Sequence, residues 1–274
     1  MDISCVKAVF YSPTGNTGKT AVKIAEKAAE NLGVDTLTVD FTLPGCRKEK
    51  NIFRSSDLVI FGTPVYAGRV PNKILPYIQS SFSGGGALAV PLVTFGNRNF
   101  DDALVELRNE LEKNDFHTIA GAAFAAAHVF SDIIAAGRPD EKDISAAQKF
   151  AEDIAEKVRK MRSMPAPIAV RGNQPLGPYY TPLGTDGKPA VFLKAKPKTD
   201  PDRCSGCGIC AEVCPMGSVN RSVPSEINGI CIKCQACVKK CPEKAKYFDD
   251  PAFLSHIAML EKNYLRRAVP EIFI

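Results

Sequence analysis

The sequence predicts an α/β protein: a doubly wound parallel sheet over the first 163 residues, followed by a second, smaller α+β unit. Two observations predict it. Short apolar runs alternate with segments of helical periodicity through the N-terminal part, the pattern that builds a parallel sheet with helices on both faces. Further on, four cysteines and a proline recur in the same spacing 27 residues later, an internal repeat of a compact unit.

The elements follow in order. Residues 3–10, 57–62, 88–94 and 118–125 read as strands, with a shorter one at 34–41. Between them, 17–32, 71–80, 101–113 and 141–162 carry the 3.6-residue period of helices, and Asp140 and Asp143 suit the cap of the last one. Residues 164–200 are rich in proline and glycine and form a connector. Its Tyr179-Tyr180-Thr181-Pro182-Leu183-Gly184 stretch is apolar enough to pack on a domain instead of trailing free. The cysteine-rich unit spans 201–248. Residues 249–274 form a C-terminal helix and tail: Asp249-Asp250-Pro251 opens the helix, and Phe253, Ile257, Leu260 and Tyr264 share one face for core packing.

Charge is unevenly placed. Residues 1–164 hold 20 Lys/Arg and 20 Asp/Glu, whereas 165–274 hold 15 against 10, the whole of the net +5. No dense basic stripe or aromatic platform suggests nucleic acid. No apolar run reaches the ~20 residues of a membrane span. The N-terminus enters the Ile3 to Phe10 strand without the basic flank and cleavage site of a signal peptide. Cys5 reads as a small apolar residue of that strand, and Cys46 as an exposed turn residue without a redox partner. These features are read as those of a cytoplasmic protein in a reducing, anaerobic setting, with no membrane insertion.

The cysteine runs carry the most specific chemistry. Cys204, Cys207, Cys210 and Cys214 precede Pro215, and Cys231, Cys234, Cys237 and Cys241 precede Pro242. C-x2-C-x2-C-x3-C-P, twice over, is the spacing of proteins that hold two [4Fe-4S] clusters. Three thiolates on one tight loop cap three irons of a cube, and the fourth serves the opposite cube. The expected ligand sets are therefore Cys204, Cys207, Cys210 and Cys241 for one cluster, and Cys231, Cys234, Cys237 and Cys214 for the other. Small Gly206, Gly208 and Ala236 leave room for backbone amides to approach the sulfurs. Structural zinc uses paired cysteines, so a third at equal spacing has no role there. Two oxidised cubes with their thiolates carry about −4 in total, which offsets the local excess supplied by Lys233, Lys239, Lys240, Lys244 and Lys246.

Ligands of open parallel sheets bind beyond the carboxyl ends of the strands. The first such loop is Tyr11-Ser12-Pro13-Thr14-Gly15-Asn16-Thr17-Gly18-Lys19-Thr20, entering a helix whose free amides favour an anion. Gly18-Lys19-Thr20 supplies the second half of a nucleotide P-loop, but Pro13 stands where its first glycine belongs. The loop resembles instead the phosphate loop of flavodoxins, matched at Ser12, Thr14, Gly15, Asn16 and Thr17. Two further loops resemble that family's flavin-flanking loops. One carries Pro64, Val65, Tyr66, Ala67 and Gly68; the other carries Thr94, Phe95, Gly96, Asn97 and Phe100.

Over nearly its full length the chain resembles the flavodoxin–ferredoxin fusion proteins of anaerobic microbes. His128 and Gly137-Arg138-Pro139-Asp140 also match that family's segment after the fifth strand. The resemblance implies a flavodoxin-like sheet of order 2-1-3-4-5, FMN on the three loops, and a ferredoxin-like domain with two [4Fe-4S] clusters. It implies an electron-transfer iron–sulfur flavoprotein that interconverts one- and two-electron chemistry. An FMN-dependent reductase of a small organic substrate or quinone is the alternative, and an open pocket lined by Tyr66, Phe100 and His128 would favour it. Partners are then a redox protein or small-molecule donor or acceptor, and the family allows a homodimer. No catalytic residue is assigned.

Overall fold

The computed structural model describes residues 2–274. Its sheet is built from β1 (Cys5–Phe10), β2 (Asp35–Asp40), β3 (Asp57–Pro64), β4 (Leu88–Phe95) and β5 (Gly121–Ala125). The strands pair in parallel in the order β2-β1-β3-β4-β5, with β1 between β2 and β3. This is the flavodoxin-like order 2-1-3-4-5. The central strands β3 and β4 are covered on both faces, so they read as unbroken apolar runs, while β2 at the edge is polar and largely exposed.

Helices α1 (Asn16–Leu32) and α4 (Glu141–Lys160) cover one face. Ala21, Ala25 and Ala28 of α1 let it lie close to the sheet, and Phe150 and Ile154 of α4 fill the remaining space. Helices α2 (Leu75–Ser81) and α3 (Ala103–Lys113) cover the other face through Ile78, Leu104, Leu107 and Leu111. Asp140 caps α4: its carboxylate accepts from the amides of Lys142 and Asp143, and Asp143 accepts from the Asp140 amide in return. Asp143 is also held by a bidentate bond from buried Arg138.

Two details depart from the sequence reading. The strand expected over 118–125 is interrupted: His117–Thr118 and Gly121–Ala125 pair separately with β4. Between them the Ile119 carbonyl accepts from Lys157 Nζ and the Thr118 carbonyl from the Ile168 amide, so both turn out of the ladder. The second departure is β6 (Glu271–Phe273), which pairs antiparallel with β5 and brings the C-terminal tail back onto the sheet. Cys5, expected within the core, is half-buried, whereas Cys46 is exposed in the Pro44–Arg47 turn.

The cysteine-rich unit holds the one-turn helices α5 (Ile209–Glu212) and α6 (Ala236–Lys239). A short antiparallel pair, Lys198–Thr199 with Lys246–Tyr247, closes it. Helix α7 (Pro251–Asn263), capped by Asp250, packs Phe253 against Phe192 and Phe130. The unit sits against the sheet domain. Met216 and Ile232 pack on the apolar cluster that contains Tyr11 and Phe41. Arg47 donates to the carbonyls of Phe41, Thr42 and Pro215, bridging the two. Lys239 pairs with Asp132 at 2.5 Å.

The connector is docked, as its composition suggested. Buried Asp102 accepts from the Asn173 amide at 2.9 Å, the Asn173 side chain at 3.0 Å and the Gly177 amide at 2.7 Å. The tail is held the same way by buried Asn97, whose side chain donates to the Tyr264 and Arg266 carbonyls and accepts from the Ala268 amide. Asn97→Ala removes these bonds, a loss of about 2 kcal/mol in tail docking. Tryptic cleavage at Arg266 or Arg267 is expected to become roughly thirtyfold faster under conditions where opening is at equilibrium. Unchanged cleavage would show that the tail is held by other contacts.

Candidate cofactor sites

Three pairs of positions related by the 27-residue repeat share a left-handed backbone: Gly206 with Lys233, Gly208 with Gln235, and Gly217 with Lys244. The first run uses glycine at each, and the second run adopts the same turns with side chains that pay a conformational cost. The turns wrap each cysteine loop so that its sulfurs face inward. Amides repeat with the same symmetry: Ser218 donates to Cys214 Sγ and Ala245 to Cys241 Sγ, both at 3.3 Å.

Two voids result. The inner one, about 380 Å³ and part open to solvent, is lined by Cys214, Cys231, Cys234 and Cys237. The outer one, about 320 Å³, is lined by Cys204, Cys207, Cys210 and Cys241. Each run thus sends its fourth cysteine to the other run's triad. Among the described residues, no three His, Cys, Asp or Glu side chains converge where a single metal ion would sit. The four sulfurs of each set line a common space instead of meeting at a point.

The voids differ in burial. Burial pushes the Cys234 and Cys237 thiols up to about 12, and raises Cys231 too. Such thiols ligate only when a cation at the centre displaces their protons. At the outer void Cys207 is exposed and burial raises Cys210. Each wall includes one lysine, Lys233 inside and Lys246 outside.

Of the three loops at the carboxyl end of the sheet, the first two bring Tyr11 and Tyr66 near the inner cysteines. In the first, Ser12 Oγ accepts from the Gly18 amide and Thr17 Oγ1 meets Thr94 Oγ1 at 2.6 Å. Gly15, with φ 95°, starts α1 without a side-chain cap, and the first turn carries no acid. The helix N-terminus therefore presents unneutralised positive dipole to any anion on the loop. Asn16 Nδ2 reaches the Ala127 carbonyl, and Lys19 Nζ the Pro139 carbonyl.

In the second loop, Tyr66 and Arg69 exchange backbone bonds around Ala67 and Gly68, a tight turn with both central residues left-handed. Gly68 is needed there because a Cβ would stand 2.3 Å from Asp101 Oδ2. Tyr66 is partly open at its surface, yet protein crowds its phenol. Burial first, then Cys234, Tyr11 and Cys231, hold its ionisation well above the usual range. Pro64 and Val65 extend β3, with the Val65 amide on the Thr94 carbonyl.

The third loop is where expectation and structure part. The Asn97 side chain is taken by the tail and Phe100 is fully buried against Phe95 with Arg171 over its ring, so neither side chain is free for a ligand. His128 packs on Gly96, where a Cβ would meet its ring at 2.3 Å, and its Nδ1 accepts from the Phe130 amide. Tyr66, Phe100 and His128 do not line one open pocket. The connector lies across these loops, with Tyr180 N–H on the Ala67 carbonyl and Arg98 stacked on the Tyr180 ring at 3.8 Å.

The sheet and the cysteine-rich segment each have counterparts among known proteins, found separately. Residues 195–246 match the family model of the 4Fe-4S dicluster domain. The chain joins a flavodoxin-like sheet to a 4Fe-4S dicluster segment. Among solved structures, a flavodoxin from the domain Archaea aligns at 15% identity and TM-score 0.42, covering 57% of this chain and 99% of that one. A Streptococcus pneumonia TIGR4 flavodoxin aligns at 20% identity and TM-score 0.39, covering 56% and 99%. Rubredoxin oxygen:oxidoreductase from Desulfovibrio gigas aligns at 18% identity and TM-score 0.36, covering 58% and 37%. The fold assignment rests on strand order and register instead of these superpositions. No curated protein matches the chain. Among the described residues, no helix is long and apolar enough to cross a membrane.

Several residues that shape the dicluster segment's seat carried no motif. Tyr11 opens the first loop without matching its motif, and Arg47 and His256 carry no sequence argument. His256 Nδ1 in fact pairs with the Leu183 carbonyl and stacks near Phe192. Burial and neighbouring cations lower the His128 pKa to about 4. His128 is thus neutral in the folded protein at pH 7, while in the unfolded chain it takes a proton as pH falls below about 6.5. Its folded pKa is depressed, so the stability present above pH 6.5 is lost as pH falls toward 4. Between pH 7.5 and 5.5 this group alone costs about 1.4 kcal/mol. His128→Gln should flatten the fall in urea midpoint over that window; an unaltered slope would assign the pH dependence elsewhere.

Proposed function

We propose that the chain is an electron-transfer iron–sulfur flavoprotein that holds two [4Fe-4S] clusters and FMN. The observation that carries it is the sorting of eight cysteines into two crossed sets of four, each around its own void. In this reading Cys204, Cys207, Cys210 and Cys241 hold the outer cluster, and Cys231, Cys234, Cys237 and Cys214 the inner one. Sulfurs arranged around a space, instead of converging on a point, suit a cube better than zinc. When bound, the clusters supply one-electron chemistry and FMN one- or two-electron chemistry.

The first loop fits a flavin phosphate. Thr14 and the amides at the α1 N-terminus would take the phosphate oxygens, with Ser12, Gly15, Asn16 and Thr17 setting the loop's shape. Pro64 to Gly68 and the backbone of 94–97 would flank the ring. Tyr66 belongs to the second of these loops and lies near enough to Cys234 and Cys231 for their charge to act on its phenol. A carrier is favoured over a reductase because the connector and the dicluster segment cover the loops that a substrate would have to reach. The residues of the chain then do three things: fix the cofactors near one another, bury Cys234 at the inner set, and leave Cys207 at the surface for a redox partner. A domain division at 1–163, 164–200, 201–248 and 249–274 accommodates this, with the tail returning to the first unit.

The reading is tested by iron, sulfide and acid-released flavin per chain after anaerobic purification. About eight irons and one FMN are expected. Eight irons with no flavin, even after FMN is added, would remove the flavin from the mechanism. A second check addresses the loop itself. Thr14→Glu places a negative charge at the α1 N-terminus and should weaken FMN binding by about tenfold or more, with iron content unchanged. Unweakened binding would move the phosphate elsewhere.

A further inference from the structure

The two voids are matched in most respects. Each takes an amide at the same repeat position, Ser218 or Ala245, and each has one lysine in its wall. They differ in side-chain donors that have nothing to bond. Tyr11 Oη and Gln235 Nε2 are buried without a partner, on side chains whose residues are 0% and 5% exposed. A buried donor left unpaired costs about 1–3 kcal/mol, so its persistence points to an acceptor. Gln235 lines the inner void between Cys234 and Cys237. Tyr11 belongs to the apolar cluster on which Met216 and Ile232 pack, and both of those residues line the same void. No side chain with such an orphaned donor lines the outer void among the described residues.

The backbone at Gln235 strengthens the point. Its φ is 62°, and its repeat counterpart, Gly208, has φ 77°. Glycine satisfies this turn without strain, so a glutamine there implies that the side chain is used.

We propose that Tyr11 and Gln235 donate hydrogen bonds to the sulfurs of the cluster held by Cys214, Cys231, Cys234 and Cys237, raising its reduction potential. The proposal rests on the two-cluster reading. Burial disfavours the extra negative charge of a reduced cluster, and hydrogen bonds to its sulfurs favour that charge. The two donors offset the burial that docking on the sheet imposes. Tyr11 comes from the sheet domain, so that domain sets the potential of the cluster facing it. Both are positioning residues, acting on the cluster through its sulfurs.

The test uses full-length protein purified anaerobically, with Tyr11→Phe, Gln235→Gly and the double variant. Phenylalanine keeps the ring in its seat, and glycine fits the left-handed turn. Iron and sulfide are assayed first; fewer than eight irons in the parent protein would sink the two-cluster reading and this assignment with it. With eight irons present, an EPR-monitored redox titration reads each cluster. Each single variant should shift the same signal, lowering its reduction equilibrium constant on the order of tenfold, about 59 mV for one electron. The other signal should stay fixed and the double variant should shift further. Fixed potentials with full iron content, shifts in different signals, or a change confined to the flavin would each overturn the proposal.

Discussion

The arrangement on which the rest depends is the exchange of fourth cysteines between the two runs. Cys214 lies with the second triad and Cys241 with the first, so neither half of the repeat closes a set of four cysteines alone. Left-handed turns at 206 and 233, 208 and 235, and 217 and 244 recur beside those cysteines in both runs. Small units with few apolar residues gain stability from cross-links, and under the proposed cluster reading metal supplies them where other units use disulfides. The exchange also decides which surface meets the sheet. Cys214 and Cys231 are flanked by Met216 and Ile232, and these two residues make the apolar contact with the cluster around Tyr11 and Phe41.

The carboxyl end of a doubly wound sheet is ordinarily its open side. Here it is closed by chain from outside the sheet, and two buried polar residues do the closing. Asp102 would be an uncompensated buried carboxylate without the amides of Asn173 and Gly177. Asn97 would be unsatisfied without the carbonyls of Tyr264 and Arg266. Arg69 joins the two themes: it pairs with buried Glu106 at 2.6 Å and also reaches the Gly177 carbonyl at 2.8 Å. These polar contacts specify where the connector and tail lie; apolar packing alone would let them slide.

Much of this was legible in the sequence, for reasons that differ by element. Strands β3 and β4 announce themselves because burial on both faces requires continuous apolar runs. Helix α4 shows its start through Asp140 and Asp143, since capping is a local interaction. The cysteine repeat was legible because its chemistry fixes spacing more tightly than any propensity does. What could not be read was set by distant partners. β6 is three residues long and forms only because β5 offers an edge. The fates of Asn97 and Phe100 were missed because the segments that take them lie far along the chain, near residues 171 and 264–268. Tyr11 and Gln235 look ordinary until their lack of partners is seen in three dimensions.

The return of the tail to β5 has one more consequence. Because β6 completes the edge of a sheet whose other strands all precede residue 126, the dicluster segment is threaded between two parts of one domain. It is anchored at both ends, not hung from a single hinge. A one-ended linker would let the two units sample many separations; two anchors confine them to nearly one. The order of synthesis follows the same logic. The last strand of the sheet is synthesised only after the cysteine runs, so the free edge of β5 stays open until the whole cysteine-rich unit has been made.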